Sequence, residues 1–350
     1  MRIAFVNDTF MEGRGADVVM YEIARRLGKK HEVYILAGQT DIKEENFRFI
    51  KINLPKLFTG KARDFNFFYN MASLRRNIKS LQKKHGFDLF VVFHSSLNVA
   101  FSGLPVIVVW LGSPETKNIL RKTVNKAILR TLKNGKTIVI SKYLREGIGF
   151  VKNVKVVYCG ISEDFRPVKS KKQENYMLYV GRLERHKNVQ EAIRLSKELD
   201  FPLKIAGYGT EEEKLKKMKE RIGAPVEFLG KVSREKLITL YQNCSFFISP
   251  SRWEGFGLIF VEAGACGKPS IAYRTGSIPE VIMDKRTGFL VNNFIELKQR
   301  AKELIENKKL REAMGKNALS FSKVFDWEKG AEEYEQMFKR MQTRQLSETI

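Results

Sequence analysis

The stretch Ser249–Gly267 reads SPSRWEGFGLIFVEAGACG, and the interpretation of the whole chain rests on it. The run CSFFIS that leads into it, residues 244–249, is apolar and is ended by a proline, which predicts a short buried strand. Residues 258–266 are apolar and compatible with a helix, and Gly267 followed by Pro269 is a helix stop signal. The pattern therefore predicts a strand, a glycine loop and a helix.

The loop between this strand and this helix combines an anion-binding backbone with two carboxylates. Glu254 and Glu262 bracket seven residues, so both can reach one ligand and accept bonds from its hydroxyl groups. Unpaired N–H groups and the helix dipole favour an anion at the helix start, and glycines let a ligand approach closely. The N–H groups concerned are those of Phe256, Gly257 and Leu258. The alternative is an ordinary βα turn in which Glu262 only caps or pairs.

The rest of the chain alternates strands and helices in the same way. Strands predicted at 2–7 and 33–37 flank a helix predicted over 18–27, and such a βαβ unit implies a parallel sheet. A new series of strands and helices begins at 176–180, so the second domain repeats the architecture of the first. Residues 166–175 (RPVKSKKQEN) are charged and lack apolar periodicity, which predicts a linker.

Composition limits the classes of protein and partner. The 350 residues suffice for two domains that each bury a core, and a composition of 43% apolar and 29% charged residues excludes gross disorder. The net charge of +24 predicts attraction to an anion, which leaves nucleic acid, lipid headgroups and phosphorylated metabolites as candidates. No RNP, helix-turn-helix or zinc signature accompanies the charge, so no nucleic acid is expected as a partner.

The cysteines and the N-terminus indicate a compartment. The cysteines show no metal or redox spacing, which predicts buried free thiols in a reducing environment; they are Cys159, Cys244 and Cys266. The N-terminal sequence MRIAFVND predicts a strand rather than a signal peptide. The longest apolar spans, such as 104–111, fall far short of the ~20 residues of a transmembrane helix. We therefore expect a cytoplasmic protein, or one lying on the inner face of a membrane.

Residues 56–84 interleave aromatic side chains with lysines and arginines. Interfacial membrane helices use this combination, because apolar side chains enter the acyl boundary while cations bind anionic headgroups. The segment therefore suggests an anionic membrane surface as a partner. The alternative is an ordinary helix with a core-facing aromatic row and a solvated basic face.

The glutamate spacing inside PS-x-x-EGFG-x-x-x-x-E-A resembles the signature of the retaining glycosyltransferases of the GT-B fold known as family 4. Residues 181–188 (GRLERHKN) resemble the family motif GR-L-x-x-x-KN, and residues 275–280 (TGSIPE) are similar to its GG-x-PE segment with Ser277 for the second glycine. The chain departs from the family in its first loop, where the glycine pair is broken as GRG at 13–15. It also has Trp-Leu-Gly at 110–112, where the family often has His-Gly.

The resemblance implies two doubly wound Rossmann-like α/β domains that face each other across a cleft. Residues 1–165 would form the acceptor-side domain and residues 176–322 the domain that binds a nucleotide sugar. Residues 297–320 are predicted as one helix, and a last helix over 323–341 would return to the first domain.

Two cations and a histidine complete the predicted catalytic set with Glu254. Arg182 at a strand end and Lys187 at a helix start can meet over one diphosphate, or else are ordinary surface cations. His94 follows a strand predicted over 88–93, at the sheet edge where ligands bind. Family members often carry a histidine there near the reacting sugar; a structural role is the alternative. The predicted donor-binding residues are Gly15, Gly181, Gly207, Gly255, Phe256, Gly257, Leu258 and Glu262.

The resemblance implies transfer of a sugar, with retention, from a nucleoside-diphosphate sugar to a carbohydrate or lipid-linked acceptor. No Asp-x-Asp metal motif is evident and two cations already offset the diphosphate, so neither metal nor cofactor is expected. Three alternatives remain open: a nucleotide-sugar epimerase of the same fold, a glycosyl phosphorylase, and a non-catalytic basic binding protein.

Overall fold

The structure, a computed structural model of the chain, describes residues 1–11, 15–42, 46–52, 67–93, 100–101, 103–112, 136–168 and 175–348. The chain divides into two compact units. The first consists of Met1–Cys159 and Trp327–Ile350, and the second is Gly160–Asp326. The second unit thus begins ahead of the linker predicted at 166–175, of which 169–174 lie outside the described residues.

A parallel sheet of seven described strands forms the centre of the first unit. The strands are β1 Arg2–Val6, β2 Glu32–Ala37, β3 Arg48–Lys51, β4 Leu89–Val92, β5 Val106–Trp110, β6 Lys136–Val139 and β7 Asn153–Val156. Across the sheet they lie in the order β3-β2-β1-β4-β5-β6-β7. The central strands β1, β4 and β5 are apolar along almost their whole length and nearly fully buried, as is typical of a parallel sheet covered on both faces.

The second unit is built in the same way around a parallel sheet of six described strands. They are β8 Met177–Val180, β9 Leu203–Ala206, β10 Val226–Gly230, β11 Phe246–Ser249, β12 Ser270–Tyr273 and β13 Gly288–Val291. Their order is β10-β9-β8-β11-β12-β13. Each sheet therefore grows outward in one direction from its first strand and then reverses, which is the doubly wound arrangement.

Helices connect the strands in both units. They are α1 Gly15–Leu27, α2 Phe67–His85, α3 Lys142–Gly147, α4 Val189–Leu199, α5 Glu212–Ile222, α6 Arg234–Asn243, α7 Leu258–Ala265, α8 Ile278–Val281, α9 Phe294–Glu306, α10 Lys308–Ser322 and α11 Trp327–Glu348. Helices interleaved with two parallel sheets confirm the predicted doubly wound α/β fold class. The three cysteines are free and buried, as the sequence predicted.

The C-terminal helix α11 belongs to the first unit, as the family resemblance implied. Arg26 of α1 contacts Glu328 of α11 at 3.0 Å, and Lys30 contacts Glu335 at 3.2 Å. Tyr334 of α11 is buried. Apolar burial and ion pairs along one helix face therefore hold α11 against α1.

One local prediction differs from the structure, and two strands were not predicted at all. The single helix predicted over 297–320 is two helices, because Asn307 caps α10: its side chain accepts a bond from the N–H of Leu310 at 2.9 Å. The sequence also gave no prediction for β3 or β7. Both are edge strands whose residues are exposed or half-buried, so they lack the apolar runs that identify the central strands.

Candidate functional site

The candidate site lies where the strand order of the second sheet reverses, between β8 and β11. Connections leave these two strands in opposite directions, and ligands of doubly wound sheets bind in the crevice that this opens at the carboxyl ends. Loop 181–188 follows β8 and loop 250–257 follows β11. The two loops carry most of the residues that the sequence singled out.

An ion pair joins these two loops. The Nζ atom of Lys187 lies 2.7 Å from Oε1 and 2.8 Å from Oε2 of Glu254. Only 15% of the lysine side chain and 10% of the glutamate side chain are exposed. The pair is therefore shielded from water. In such a shielded environment the attraction between two charges is stronger than at a surface.

A short 3-10 turn, Arg185–Lys187, sets the position of the lysine. The N–H of Lys187 donates to the carbonyl of Glu184 at 2.9 Å. Asn188 follows in the left-handed conformation, with φ of 55°, and is the N-cap of α4. Asparagine tolerates this conformation better than most residues, which gives the Lys-Asn pair of the motif a backbone reason.

Glu254 is held through its carbonyl by the loop after β12. The N–H and the hydroxyl of Ser277 donate to this carbonyl at 3.3 and 3.0 Å. Gly276 has φ of +55°, and a Cβ there would lie 2.7 Å from the same oxygen, so the position requires glycine. Ser277, a departure from the family pattern, thus supplies a bond that a glycine cannot make.

His186 lies beside this pair and was not among the predicted site residues. Its carbonyl accepts a bond from the N–H of Arg252 at 2.9 Å, which ties the loop after β8 to the loop after β11. Burial and the adjacent Lys187 ammonium lower the pKa of His186, so its imidazole is neutral at physiological pH. Its position next to Lys187 in the motif was the signal that could have identified it.

Arg182 is not gathered into the ion pair. Its side chain is 67% exposed, and its guanidinium lies 3.9 Å from the carboxylate of Glu184. Lys187, by contrast, is bound to Glu254. The sequence predicted that the two cations meet over one diphosphate. The structure places Lys187 in the ion pair and the side chain of Arg182 towards solvent.

The predicted donor-binding glycines have different structural reasons. Gly207 has φ of +145°, and a Cβ there would lie 1.9 Å from the carbonyl oxygen of Gly181. These two residues are therefore fixed by the contact between the loops after β8 and β9. Gly257, with φ of +92°, is the N-cap of α7. A Cβ at Gly15 would meet nothing within 4 Å, so packing alone does not explain this glycine.

The start of α7 presents the backbone groups expected of an anion site. Leu258 is the first residue of this helix, and the first N–H groups of any helix have no partner within it. Gly255 precedes it in the loop and is half-buried. The ring of Phe256 is buried and packs edge-on against Phe325, with ring centroids 5.6 Å apart. Phe256 therefore anchors the loop to the core through its side chain.

Glu262 lies on α7 and is half-buried. The hydroxyl of Tyr241 on α6 donates to its Oε2 atom at 2.9 Å. Burial raises the pKa of Glu262 to about 7, an effect that the bond from Tyr241 and the charge of Arg234 partly oppose. This carboxyl therefore titrates near neutral pH, unlike an exposed glutamate.

Several buried polar atoms at this sheet edge have no hydrogen-bond partner among the described residues. They are the hydroxyls of Ser249 and Ser251, the amide nitrogen of Asn188 and the indole nitrogen of Trp253. Buried polar groups are normally bonded, so water or a ligand is expected to satisfy them.

Comparison with known families identifies the chain. Residues 160–321 match the family described as Glycosyl transferases group 1, and residues 13–165 match Glycosyltransferase Family 4. The chain belongs to glycosyltransferase family 4. An uncharacterised glycosyltransferase of Methanocaldococcus jannaschii is 35% identical to it over 207 residues, which are 57% of this chain. The match spans 58% of the relative's length.

Solved structures of glycosyltransferases share the fold. Sucrose-phosphate synthase from Thermosynechococcus elongatus superimposes with a TM-score of 0.85 at 19% identity, over 98% of this chain and 99% of that one. The Anabaena protein HepE, in complex with UDP and glucose, gives a TM-score of 0.81 at 17% identity, over 96% and 99%. These likenesses confirm the GT-B fold class that the sequence predicted.

The first unit of the chain has its own polar centre at the start of the β1–α1 loop. Asp17 is buried and accepts bonds from Nδ2 of Asn7 at 2.6 Å, the hydroxyl of Thr9 at 3.0 Å and the N–H of Met11 at 2.9 Å. Burial raises the pKa of Asp17, and these bonds oppose the change. Asp17 therefore holds residues 7–11 against the start of α1. His94 lies outside the described residues.

The described part of the chain has neither a cluster of metal ligands nor a membrane-spanning helix. No group of three or more His, Cys, Asp or Glu side chains there could hold a metal ion. None of the helices described is both long and apolar enough to cross a membrane.

Proposed function

We propose that this glycosyltransferase moves a sugar from a nucleoside-diphosphate sugar to a hydroxyl acceptor with retention of the anomeric configuration. The observation that carries the proposal is the shielded Lys187–Glu254 pair beside the start of α7. Such an arrangement offers a cation and N–H groups to a diphosphate and a carboxylate to a sugar. HepE, which shares the fold, has been solved with UDP and glucose, and this supports a nucleotide sugar as donor class.

Lys187 is equipped to bind a phosphate without leaving Glu254. An ammonium group carries three N–H donors, and Glu254 accepts with two oxygens. A third donor is then available for a phosphate oxygen. Glu254 in turn fixes the direction of the lysine, and its carboxylate can accept a bond from a sugar hydroxyl or stabilise positive charge at the anomeric carbon.

Stabilisation of the leaving diphosphate is the main catalytic effect in this proposal. Negative charge grows on the diphosphate as the bond to the sugar breaks, and fixed donors lower the barrier because they need no reorganisation. The donors are Lys187, the guanidinium of Arg182 and the N–H groups of Gly257 and Leu258. The acceptor would attack from the same face of the sugar, with the donor's phosphate as the base.

Two further features complete the donor site in this proposal. Glu262 accepts bonds from the ribose hydroxyls of the nucleotide. Neither a metal ion nor a cofactor takes part, because Lys187 and Arg182 offset the diphosphate charge. Activity that survives exhaustive chelation would support metal independence, and activity restored only by a divalent cation would contradict it.

We also propose a lipid-linked or membrane-proximal acceptor, with the protein bound at an anionic membrane surface through residues 56–84. The described part of this segment presents cations at the surface, as binding to anionic headgroups requires. Leu74 and Ile78 of α2 are buried in the core of the first unit, whereas Arg76, Lys79 and Lys83 are exposed. The side chains of residues 53–71 lie outside the description, so the insertion of aromatic side chains into the membrane stays a prediction.

A thermal-shift panel tests the donor site. Wild type and Glu262→Ala are heated with UDP-, GDP- and ADP-sugars, because a ligand that binds only the native state raises the melting temperature. A shift with one nucleotide that the variant loses supports the site and identifies the base. No shift with any of them removes the nucleotide-sugar proposal; turnover that requires free phosphate would indicate a phosphorylase, and turnover without acceptor an epimerase.

Vesicle flotation tests the membrane proposal separately. The protein is mixed with neutral vesicles and with vesicles that contain phosphatidylglycerol, at low and at high salt. Binding that requires the anionic lipid and weakens with salt supports it. Absence of any lipid-dependent binding removes it and leaves the donor site untouched.

A further inference from the structure

We propose that Tyr241 is a positioning residue for the nucleotide: it occupies one carboxylate oxygen of Glu262 and so reserves the other for a ligand hydroxyl. The inference rests on the proposed function of Glu262. Its basis is the bond from the Tyr241 hydroxyl to Oε2, which joins α6 to α7 across 21 positions of sequence. No described residue donates to Oε1 of Glu262.

The ring of Tyr241 is held by aromatic packing and can therefore aim its hydroxyl. The residue is completely buried, lies edge-on to Phe165 with ring centroids 5.9 Å apart, and is tilted against Phe247 at 5.6 Å. Because tyrosine has only two side-chain torsions, packing on two sides leaves its hydroxyl little freedom. A bond from a rigid donor restrains the carboxylate as well.

The direction of this bond matters for the chemistry. A phenol that donates to a carboxylate favours its ionised form, and an ionised carboxylate is an acceptor only. Glu262 is then ready to accept from a hydroxyl of the ligand. A protonated Glu262 would lose part of this capacity, so the tyrosine favours the state that binds.

Glu262 faces few other ionisable groups. Arg234, also on α6, favours the carboxylate, and Cys266 at the end of α7 is a neutral thiol because burial raises its pKa. The pKa of Glu262 is about 7, so nucleotide binding can be measured at pH values both below and above it. Loss of the tyrosine hydroxyl should raise it further.

Calorimetric titration with UDP, GDP and ADP, repeated from acid to mildly alkaline pH, tests the proposal. Wild type should bind one of them and lose affinity as the pH falls through about 7. In Tyr241→Phe we expect binding about ten-fold weaker at neutral pH, and an acid limb shifted up by roughly one pH unit. In Glu262→Gln this limb should disappear.

Tyr176→Phe is the matched control. Tyr176 is also buried, and its hydroxyl donates to the carbonyl of Leu240 on α6 at 2.8 Å, next to Tyr241. Its loss should lower the melting temperature and leave both the affinity and the pH profile unchanged. A merely structural role for Tyr241 would give the same result as this control.

The outcomes separate the two proposals. A Tyr241→Phe profile that superimposes on wild type overturns the role of Tyr241 while the donor site stands. Wild type that binds none of the three nucleotides overturns both. Should Tyr241→Phe fail to fold, Glu262→Asp replaces it: the shorter carboxylate cannot reach the tyrosine and the ligand together, so wild-type affinity in that variant would also overturn the inference.

Discussion

Lys187 and Glu254 meet through both carboxylate oxygens, at 2.7 and 2.8 Å, although 67 positions of sequence separate them. The contact joins the loops that follow β8 and β11, the two strands between which the second sheet reverses its order. Each residue is the partner that lets the other be buried, since a buried charge without a partner is costly. The ion pair therefore stabilises the fold and also forms the centre of the proposed site.

Lys187→Met should abolish both functions of the lysine. Turnover is expected to fall about 100-fold or more, because a donor to the leaving group is lost. The free energy of unfolding should fall by about 3 kcal/mol, because Glu254 loses its partner. Steady-state kinetics and urea unfolding measure the two effects.

The double variant Lys187→Met with Glu254→Gln separates these effects. It removes both charges, so stability should recover towards wild type while turnover stays low. Recovery of turnover together with stability would contradict the catalytic assignment.

Arg182→Ala should affect turnover alone. Its side chain is mostly exposed, so its removal should change the free energy of unfolding by less than about 0.5 kcal/mol. Loss of a forked donor to the diphosphate should lower kcat about ten-fold or more. Arg221→Ala, which removes an exposed cation from α5 in the same unit, is the control. Equal activity in both variants would sink the role of Arg182.

The sequence predicts what local pattern determines. The strand β11, the glycine loop and α7 were all predicted, because burial requires a run of apolar residues and backbone freedom requires glycines that are close in sequence. The bond from Ser277 to the Glu254 carbonyl has no such local pattern, because its partners lie on separate loops. The same is true of the bond from Tyr241 to Glu262.

Gly207 and the edge strands also show what the sequence pattern could not predict. Gly207 was predicted from the family pattern to meet the donor, whereas the structure gives it a packing reason that involves a different loop. The edge strands β3 and β7 escaped prediction because exposed strands carry no continuous apolar signal. Sequence patterns therefore fail to specify two kinds of feature: exposed edge strands and contacts between distant segments.

Gly207→Ala and Gly15→Ala should therefore behave in opposite ways. At Gly207 a Cβ would overlap a backbone oxygen that cannot move easily, and we expect a loss of about 3 kcal/mol or more in the free energy of unfolding. At Gly15 a Cβ meets nothing, so stability should be kept. If Gly15 approaches the donor, as predicted, turnover should fall in this stable variant; unchanged turnover would argue for a plain helix start.

Glu262→Gln should change how stability depends on pH. An unfolded glutamate titrates near about 4.3, whereas Glu262 in the folded chain titrates at about 7. Between these values the folded state holds a proton that the unfolded state has released. The free energy of unfolding contributed by Glu262 therefore falls as the pH rises through this window, by at most about 4 kcal/mol.

Glutamine keeps an oxygen that can accept from Tyr241 but does not ionise, so the variant should lack this fall. Urea unfolding of wild type and Glu262→Gln across the window measures the difference, which should grow in favour of the variant as the pH rises from about 4.5 to about 7. Glu213→Gln on the exposed face of α5 is the control, because a solvated carboxylate contributes little to this dependence. A difference between wild type and Glu262→Gln that stays constant with pH would mean that Glu262 titrates as an ordinary glutamate, and the acid limb expected for nucleotide binding would then need another group.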